Sequence, residues 1–226
     1  MHTGNPQVLQ TRLFMQLMVF DCAPEVSVDA EIDALAAALA AHGAAAVIYA
    51  DVNAPRGVGV LSWSEDPEDF VRKVRPAVLE RRGALVQRPG WSMLGRTYAT
   101  GYEPDLRYWL LDRPVETARH EHCPWAVWYP LRRSGAFARL EGKDKGAVLK
   151  EHGIIGRAYG AQDLAHDIRL ACHGLDERDN EFVIGLIGKD LHPLSHVVER
   201  MRGTRQTSEF IVQMGPFFVG HRVRIV

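Results

Sequence analysis

Four pieces of one stretch decide the architecture: Trp128-Tyr129-Pro130-Leu131, then His152-Gly153 with Gly156-Arg157, then Gly174-Leu175-Asp176, and last Gly215-Pro216-Phe217-Phe218-Val219-Gly220. Around the first piece, Trp125 to Leu131 is rich in aromatic and β-branched residues and predicts a strand. Lys145 to Ile155 predicts a helix. Ala165 to Cys172 and Glu181 to Ile187 predict two strands meeting across a turn at Gly174 to Asn180. Leu191 to Met201 carries Leu191, Leu194, Val197, Val198 and Met201 on one stripe and predicts an amphipathic helix. Phe210 to Gln213 and Phe217 to Val223 supply the final strand material, so the order is β-α-β-β-α-β.

The same order occurs upstream. Arg12 to Phe20 predicts a strand, and Asp29 to His42 a helix with Ile32, Leu35 and Leu39 on one face and Gly43 as its stop. Ala44 to Ala50 and Val58 to Trp63 predict strands joined through Pro55 and Gly57. A helix follows Ser64 with Phe70, Val71, Val74 and Val78 along one side, and Trp91 to Tyr98 closes the set. Two such units are two ferredoxin-like halves of an α+β fold, each an antiparallel sheet with helices on one face. Two such sheets can stack or close into a barrel. The predicted division is a tail over residues 1–10, an N-terminal half over 11–118 and a C-terminal half over 119–226. The polar segment from Pro104 to His122 is read as the joint.

Composition excludes several function classes. The 226 residues are 46% hydrophobic and 24% charged, ordinary for a chain that buries a core. A formal net charge of −1 and a pI near 6.8 give no footprint for nucleic acid or a membrane surface. Cys22, Cys123 and Cys172 are odd in number and widely spaced, forming neither a disulfide framework nor a zinc pattern. Met1 to Gln10 lacks the progression of a signal peptide, and the expected location is cytoplasmic.

His152 is the main candidate for chemistry. With Val148, Leu149 and Ile155 at helical spacing around it, it belongs to the inward face of its helix. A neutral imidazole there suits an iron ligand, and the alternative is a satisfied core histidine near a helix end. Gly57-Val58-Gly59 is a turn and strand, not a dinucleotide loop. Glu65-Asp66 and Asp176 to Asp179 read as solvated turns, and His120 with His122 as linker residues.

The order of these motifs resembles the haem-binding half of the chlorite dismutase and coproheme decarboxylase family. The family's iron ligand is the histidine of a His-Gly-x-x-Gly-Arg-x-Tyr pattern, complete here as His152, Gly153, Gly156, Arg157 and Tyr159. The Gly174 to Asp176 turn, Arg202 to Arg205 and the Gly215 to Gly220 run follow in the family's order. The resemblance spans residues 120 to 223, and upstream only the element order matches. It implies a dimeric α+β barrel, assembly into a homo-oligomeric ring that is usually a pentamer, and either haem b or iron coproporphyrin III held by His152. Hydrogen peroxide or a related oxidant is the implied co-substrate, with no nucleic acid or membrane partner.

Chlorite dismutases carry an arginine on the strand before the Gly-Leu-Asp turn. Counting back from Gly174 puts Asp167 at that position, whereas counting from His152 gives Ala165. The strand register into a tight turn decides for Asp167, so the resemblance implies no chlorite dismutase activity. Asp167 would move protons on bound peroxide, its pKa raised by a partly dry pocket; it could also pair with Arg169 or face solvent. Tyr129 matches a tyrosine that carries a radical beside a reactive propionate, though it can also be an aromatic before an edge proline. Arg132 or Arg133, one of which must face away, and Thr207 or Ser208 would hold propionates. A carboxylate behind His152 is expected, with Glu181 and Glu199 as candidates. The reading is a coproheme decarboxylase-like, peroxide-using haem oxidoreductase. The alternatives are a haem peroxidase, a non-catalytic haem-binding protein and a haem-free barrel.

Overall fold

The computed structural model describes residues 9–99, 101 and 103–226. In the N-terminal half, strand β1 (Phe14–Cys22) leads into helix α1 (Val28–Ala41), then β2 (Ala46–Asp51) and β3 (Gly57–Ser64). A wide turn at Phe70–Val74 runs into α2 (Arg75–Glu80), followed by β4 (Leu85–Gln87) and β5 (Met93–Thr97). A second wide turn at Tyr108–Asp112 continues as α3 (Arg113–Arg119). The C-terminal half holds β6 (Trp125–Arg133), a short α4 (Gly135–Ala138) and the long α5 (Gly142–Ala161). Then come β7 (His166–Ala171), β8 (Phe182–Gly188), α6 (Leu191–Arg202), β9 (Ile211–Met214) and β10 (Phe218–Ile225).

Every pairing is antiparallel, and the sheet closes. The order runs β10-β2-β3-β1-β5-β7-β8-β6, and β6 pairs back onto β10. β4 lies beside β1 and β9 beside β6. The two halves are topological copies: β1-β3 matches β6-β8, β2-β3 matches β7-β8, and β4 matches β9. The last strand of each half joins both halves. β5 pairs β1 and crosses to β7, while β10 pairs β6 and crosses to β2. The two expected sheets are therefore one barrel, with helices outside it.

Alternation along the strands sorts the core into an inside and two outsides. Met15, Leu17, Val47, Tyr49, Leu61, Trp128, Ile168, Leu170, Val183 and Phe218 are buried together inside the barrel. The outward residues of the N-terminal half, among them Ile48, Val58 and Val60, are covered by Ile32, Leu35 and Leu39 of α1 with Val74 and Ala77. Those of the C-terminal half, Val127, Tyr129, Leu131 and Leu186, meet Leu194 and Val197 of α6. The interior needs glycine where large rings cross it. Gly185 faces Trp128 across the β6–β8 ladder, and a Cβ there would stand 2.5 Å from the indole.

The segment read as a polar joint is largely helical. Its apolar positions, Leu106, Leu110, Leu111 and Ala118, are buried against the end of the barrel interior. Pro114 follows the wide turn Tyr108–Asp112, which carries the helix past a residue that has no N–H to donate. No helix among the described residues is long and apolar enough to cross a membrane.

Gly185→Ala should lower the urea unfolding free energy by about 1–3 kcal/mol, the usual cost of forcing one more carbon into a filled interior. An unchanged midpoint would mean that Trp128 has room to move and that the inside is not close-packed.

Candidate functional site

The two outer faces of the barrel are packed differently. In the N-terminal copy, α1 buries Glu31, Ile32, Leu35, Ala38 and Leu39. Its counterpart α5 is 20 residues long, yet Val148 is the one side chain it buries. Its remaining inward residues, His152, Ile155 and Tyr159, are half-buried. Across from them the sheet presents Ile184, Met214 and Phe217, also half-buried, beside the buried Tyr129. An apolar sheet face without full protein cover is a natural place for a flat apolar ligand. Hollows of about 180 and 390 Å³ flank Trp63 and Ser64 in the N-terminal half and are separate from this face.

His152 sits on α5 and points its Nδ1 at the Oγ1 of Thr204, 3.5 Å away. Burial and then the Arg169 guanidinium lower its pKa, with Asp167 and Glu151 opposing, so the ring is held neutral. Its Nε2 has no partner among the described residues. Thr204 is 2% exposed and donates its hydroxyl to the Met201 carbonyl at 2.8 Å. No sequence signal singled it out. Glu181, one candidate for this place, is bound to Arg133 instead, and Glu199 is exposed.

β7 sets the next group. Ile168 and Leu170 point into the barrel, which sends Asp167 and Arg169 outward onto the site. Arg113 of α3 donates to Asp167 twice, to Oδ1 at 2.7 Å and to the backbone carbonyl at 2.9 Å. Arg169 Nε lies 2.8 Å from the other carboxylate oxygen. Burial alone would raise this carboxyl, but Arg169 and then Arg113 outweigh it and hold it below the ordinary carboxylate range. The expected upward shift is therefore reversed, because α3 supplies a cation from a segment that reads as a linker in the sequence. His166 faces the other way, as expected, and pairs with Asp163 at 2.7 Å.

Tyr129 lies on β6, stacked on Phe217 with centroids 4.6 Å apart. Burial first, then Asp167, push its phenol pKa up, against a smaller pull from Arg202, so it stays protonated. His152 thus feels both Arg169 and Asp167, and Tyr129 feels Asp167.

The remaining candidates are engaged with protein partners. Arg133 is held by Glu181 at 3.0 Å between the rings of Phe137 and Phe182, at 4.1 and 4.6 Å. Arg132 reaches Gln213 at 3.1 Å and Asp179 at 3.5 Å. Ser208 donates its hydroxyl to the Thr204 carbonyl, and the Thr207 hydroxyl lies 3.4 Å from that of Thr204. Among the described residues, no three His, Cys, Asp or Glu side chains group into a site for a bare metal ion. The donor set is one neutral imidazole with a free nitrogen over an incompletely covered apolar face. It fits an iron porphyrin, whose ring supplies the other ligands.

Arg113→Ala should raise the Asp167 titration, read by carboxyl NMR. A carboxylate held below its unfolded value of about 3.9 adds stability above that pH and loses it as pH falls through the folded value. The variant should thus be less stable by about 1 kcal/mol or less at neutral pH, since the pair is part-exposed, with the gap closing in acid. An Asp167 titration identical in both proteins would refute the coupling.

The sequence profile of the chlorite dismutase family matches residues 58–223. No curated protein sequence matches the chain. Solved structures do. A protein provisionally named chlorite dismutase, TA0507, has a TM-score of 0.75 at 15% identity, covering 95% of this chain and 96% of its own. A haem-binding protein from Thermus thermophilus has a TM-score of 0.70 at 19% identity, covering 96% and 92%. A mutant chlorite dismutase from Candidatus Nitrospira defluvii has a TM-score of 0.69 at 13% identity, covering 96% and 93%. At these identities the likeness is one of fold, while the profile covers most of the chain, including the His152 helix and both ends of the C-terminal sheet. The protein belongs to the chlorite dismutase family.

Proposed function

We propose that this protein is a haem-dependent, peroxide-using oxidoreductase that decarboxylates iron coproporphyrin III to haem b. The observation that carries the reading is His152: neutral, anchored through Nδ1, free at Nε2, and carried by a helix that leaves the sheet beneath it half-covered. The iron, when bound, supplies two-electron chemistry with peroxide. Each of the two reacting propionates would lose carbon dioxide and become a vinyl group, its two electrons and one proton, with a second proton from solvent, passing to hydrogen peroxide to give two waters.

The chain's own residues have separate tasks in this scheme. His152 would hold the iron through its free nitrogen, and Ile184, Met214 and Phe217 would exclude water from the bound ring. Tyr129, protonated at rest, gives up an electron and its proton together and so carries oxidation to a neighbouring propionate. Asp167, ionised at rest, accepts the first proton of peroxide, and the two guanidiniums beside it keep it ready to do so. Arg132, freer than Arg133, and the hydroxyls of Thr207 and Ser208 would hold propionates. Ring assembly and a cytoplasmic location accompany this reading as part of the proposal.

The ionised Asp167 favours a second reading as well. A fixed carboxylate that strips peroxide of its proton is sufficient for a peroxidase with a small-molecule donor, with no decarboxylation at all.

Incubating the chain with iron coproporphyrin III and hydrogen peroxide, then weighing the porphyrin, separates the two. Loss of two carboxyl groups is expected, with Tyr129→Phe keeping the Soret band but slowing that loss about a hundredfold or more, the lower end for removal of a group that moves a proton. A porphyrin of unchanged mass alongside donor oxidation would establish the peroxidase instead. His152→Ala should abolish the Soret band, and an intact band in that variant would remove His152 as ligand.

A further inference from the structure

We propose that Thr204 is the positioning residue of the iron ligand, and that its neutral hydroxyl occupies the place where a carboxylate would ordinarily stand behind a metal-bound histidine. The proposal rests on the haem reading above. Ligating histidines usually donate their second ring N–H to a carboxylate, carbonyl or water, and that partner sets ring orientation and basicity.

The local bonding leaves Thr204 one role toward His152. Its amide donates to the Met201 carbonyl at 3.0 Å, and its own carbonyl accepts from the amides of Thr207 and Ser208 at 3.1 and 2.9 Å. The Ser208 hydroxyl adds a further bond to that carbonyl at 2.9 Å. Its hydroxyl proton goes to the Met201 carbonyl, at 2.8 Å. A hydroxyl has one proton and two acceptor sites, so Oγ1 can meet His152 only as an acceptor. The Nδ1 at 3.5 Å must then carry the ring proton, which assigns the tautomer and leaves the Nε2 lone pair for iron. The Thr207 hydroxyl oxygen at 3.4 Å is only a more distant acceptor for that same proton, so it does not free Oγ1 to donate to the ring.

No carboxylate among the described residues competes for that nitrogen. Glu151, adjacent in sequence, accepts from the Arg205 amide at 3.0 Å, and the wide turn Gln206–Phe210 that follows is pinned to Thr204 from the other side. A neutral acceptor draws the Nδ1 proton less than a carboxylate would. The imidazole is then a weaker donor to iron, and the ferrous state is relatively favoured. The same arrangement separates this site from one built for the strongest push on an iron-bound oxygen.

The test uses the full chain reconstituted with haemin, as wild type, Thr204→Val and Thr204→Ser. The iron–histidine stretch of the ferrous form is read by resonance Raman, and the midpoint potential by spectroelectrochemistry. Thr204→Val, which keeps the shape and removes the acceptor, should keep the Soret band, lower and broaden the stretch, and raise the potential. Thr204→Ser, which keeps the hydroxyl, should retain the wild-type values. Valine values equal to wild type, or serine values displaced as far as valine, would overturn the role of Thr204 while leaving haem binding intact. Wild-type protein that forms no Soret band would overturn the haem reading itself, and this proposal with it.

Discussion

The pleat of a closed barrel fixes which residues can meet at the site. Because the inside is filled by Trp128, Ile168, Leu170 and Phe218, their strand neighbours have no choice of side. Tyr129 must face out beside Trp128, Asp167 and Arg169 must flank Ile168, and Phe217 must stand next to Phe218. A slip of one residue in β7 would turn Asp167 and Arg169 into the interior, and one in β6 would turn Trp128 out of it. The chemistry of the outer face is thus held by the packing of the inner one, and Gly185 under Trp128 is part of that hold.

The second element is a shortage of packing on one side. α1 and α5 occupy equivalent places in the two halves, so one serves as the reference for the other. α1 fills its groove with aliphatic side chains; α5 brings a histidine, a tyrosine and small or polar residues to the same place. Burial of the sheet is the main favourable term in folding, and leaving part of it uncovered sacrifices stability in the protein alone. That sacrifice is intelligible if a porphyrin completes the layer and returns the lost contact on binding.

The order of elements, the helix faces and the inward side of the helix that carries His152 could be read from the sequence because each rests on local spacing. The alternation in Trp125 to Leu131 and the stripe from Leu191 to Met201 mark elements that the structure contains, and the linked glycine motifs mark the family. What escaped was tertiary. Arg113 and Leu110 lie in a stretch whose prolines and histidines resemble a linker, and their helix is recognised only when its apolar side meets the barrel end. The direction of the Asp167 shift depends on that helix, since one guanidinium arrives from 54 residues away. Thr204 was hidden for a related reason: an isolated threonine after a helix carries no pattern, and its meaning comes from a ring 52 positions earlier.

The exchange of final strands has a further consequence. Because β5 and β10 each stitch one half to the other, neither half has a finished sheet by itself. Cut apart, each would expose open strand edges of the kind that recruit another chain. Within one chain each half supplies the strand that closes the other, and α3 lies in the span that joins them. With closure shared in this way, the N-terminal half can fill its groove with α1 while the C-terminal half leaves its own partly uncovered.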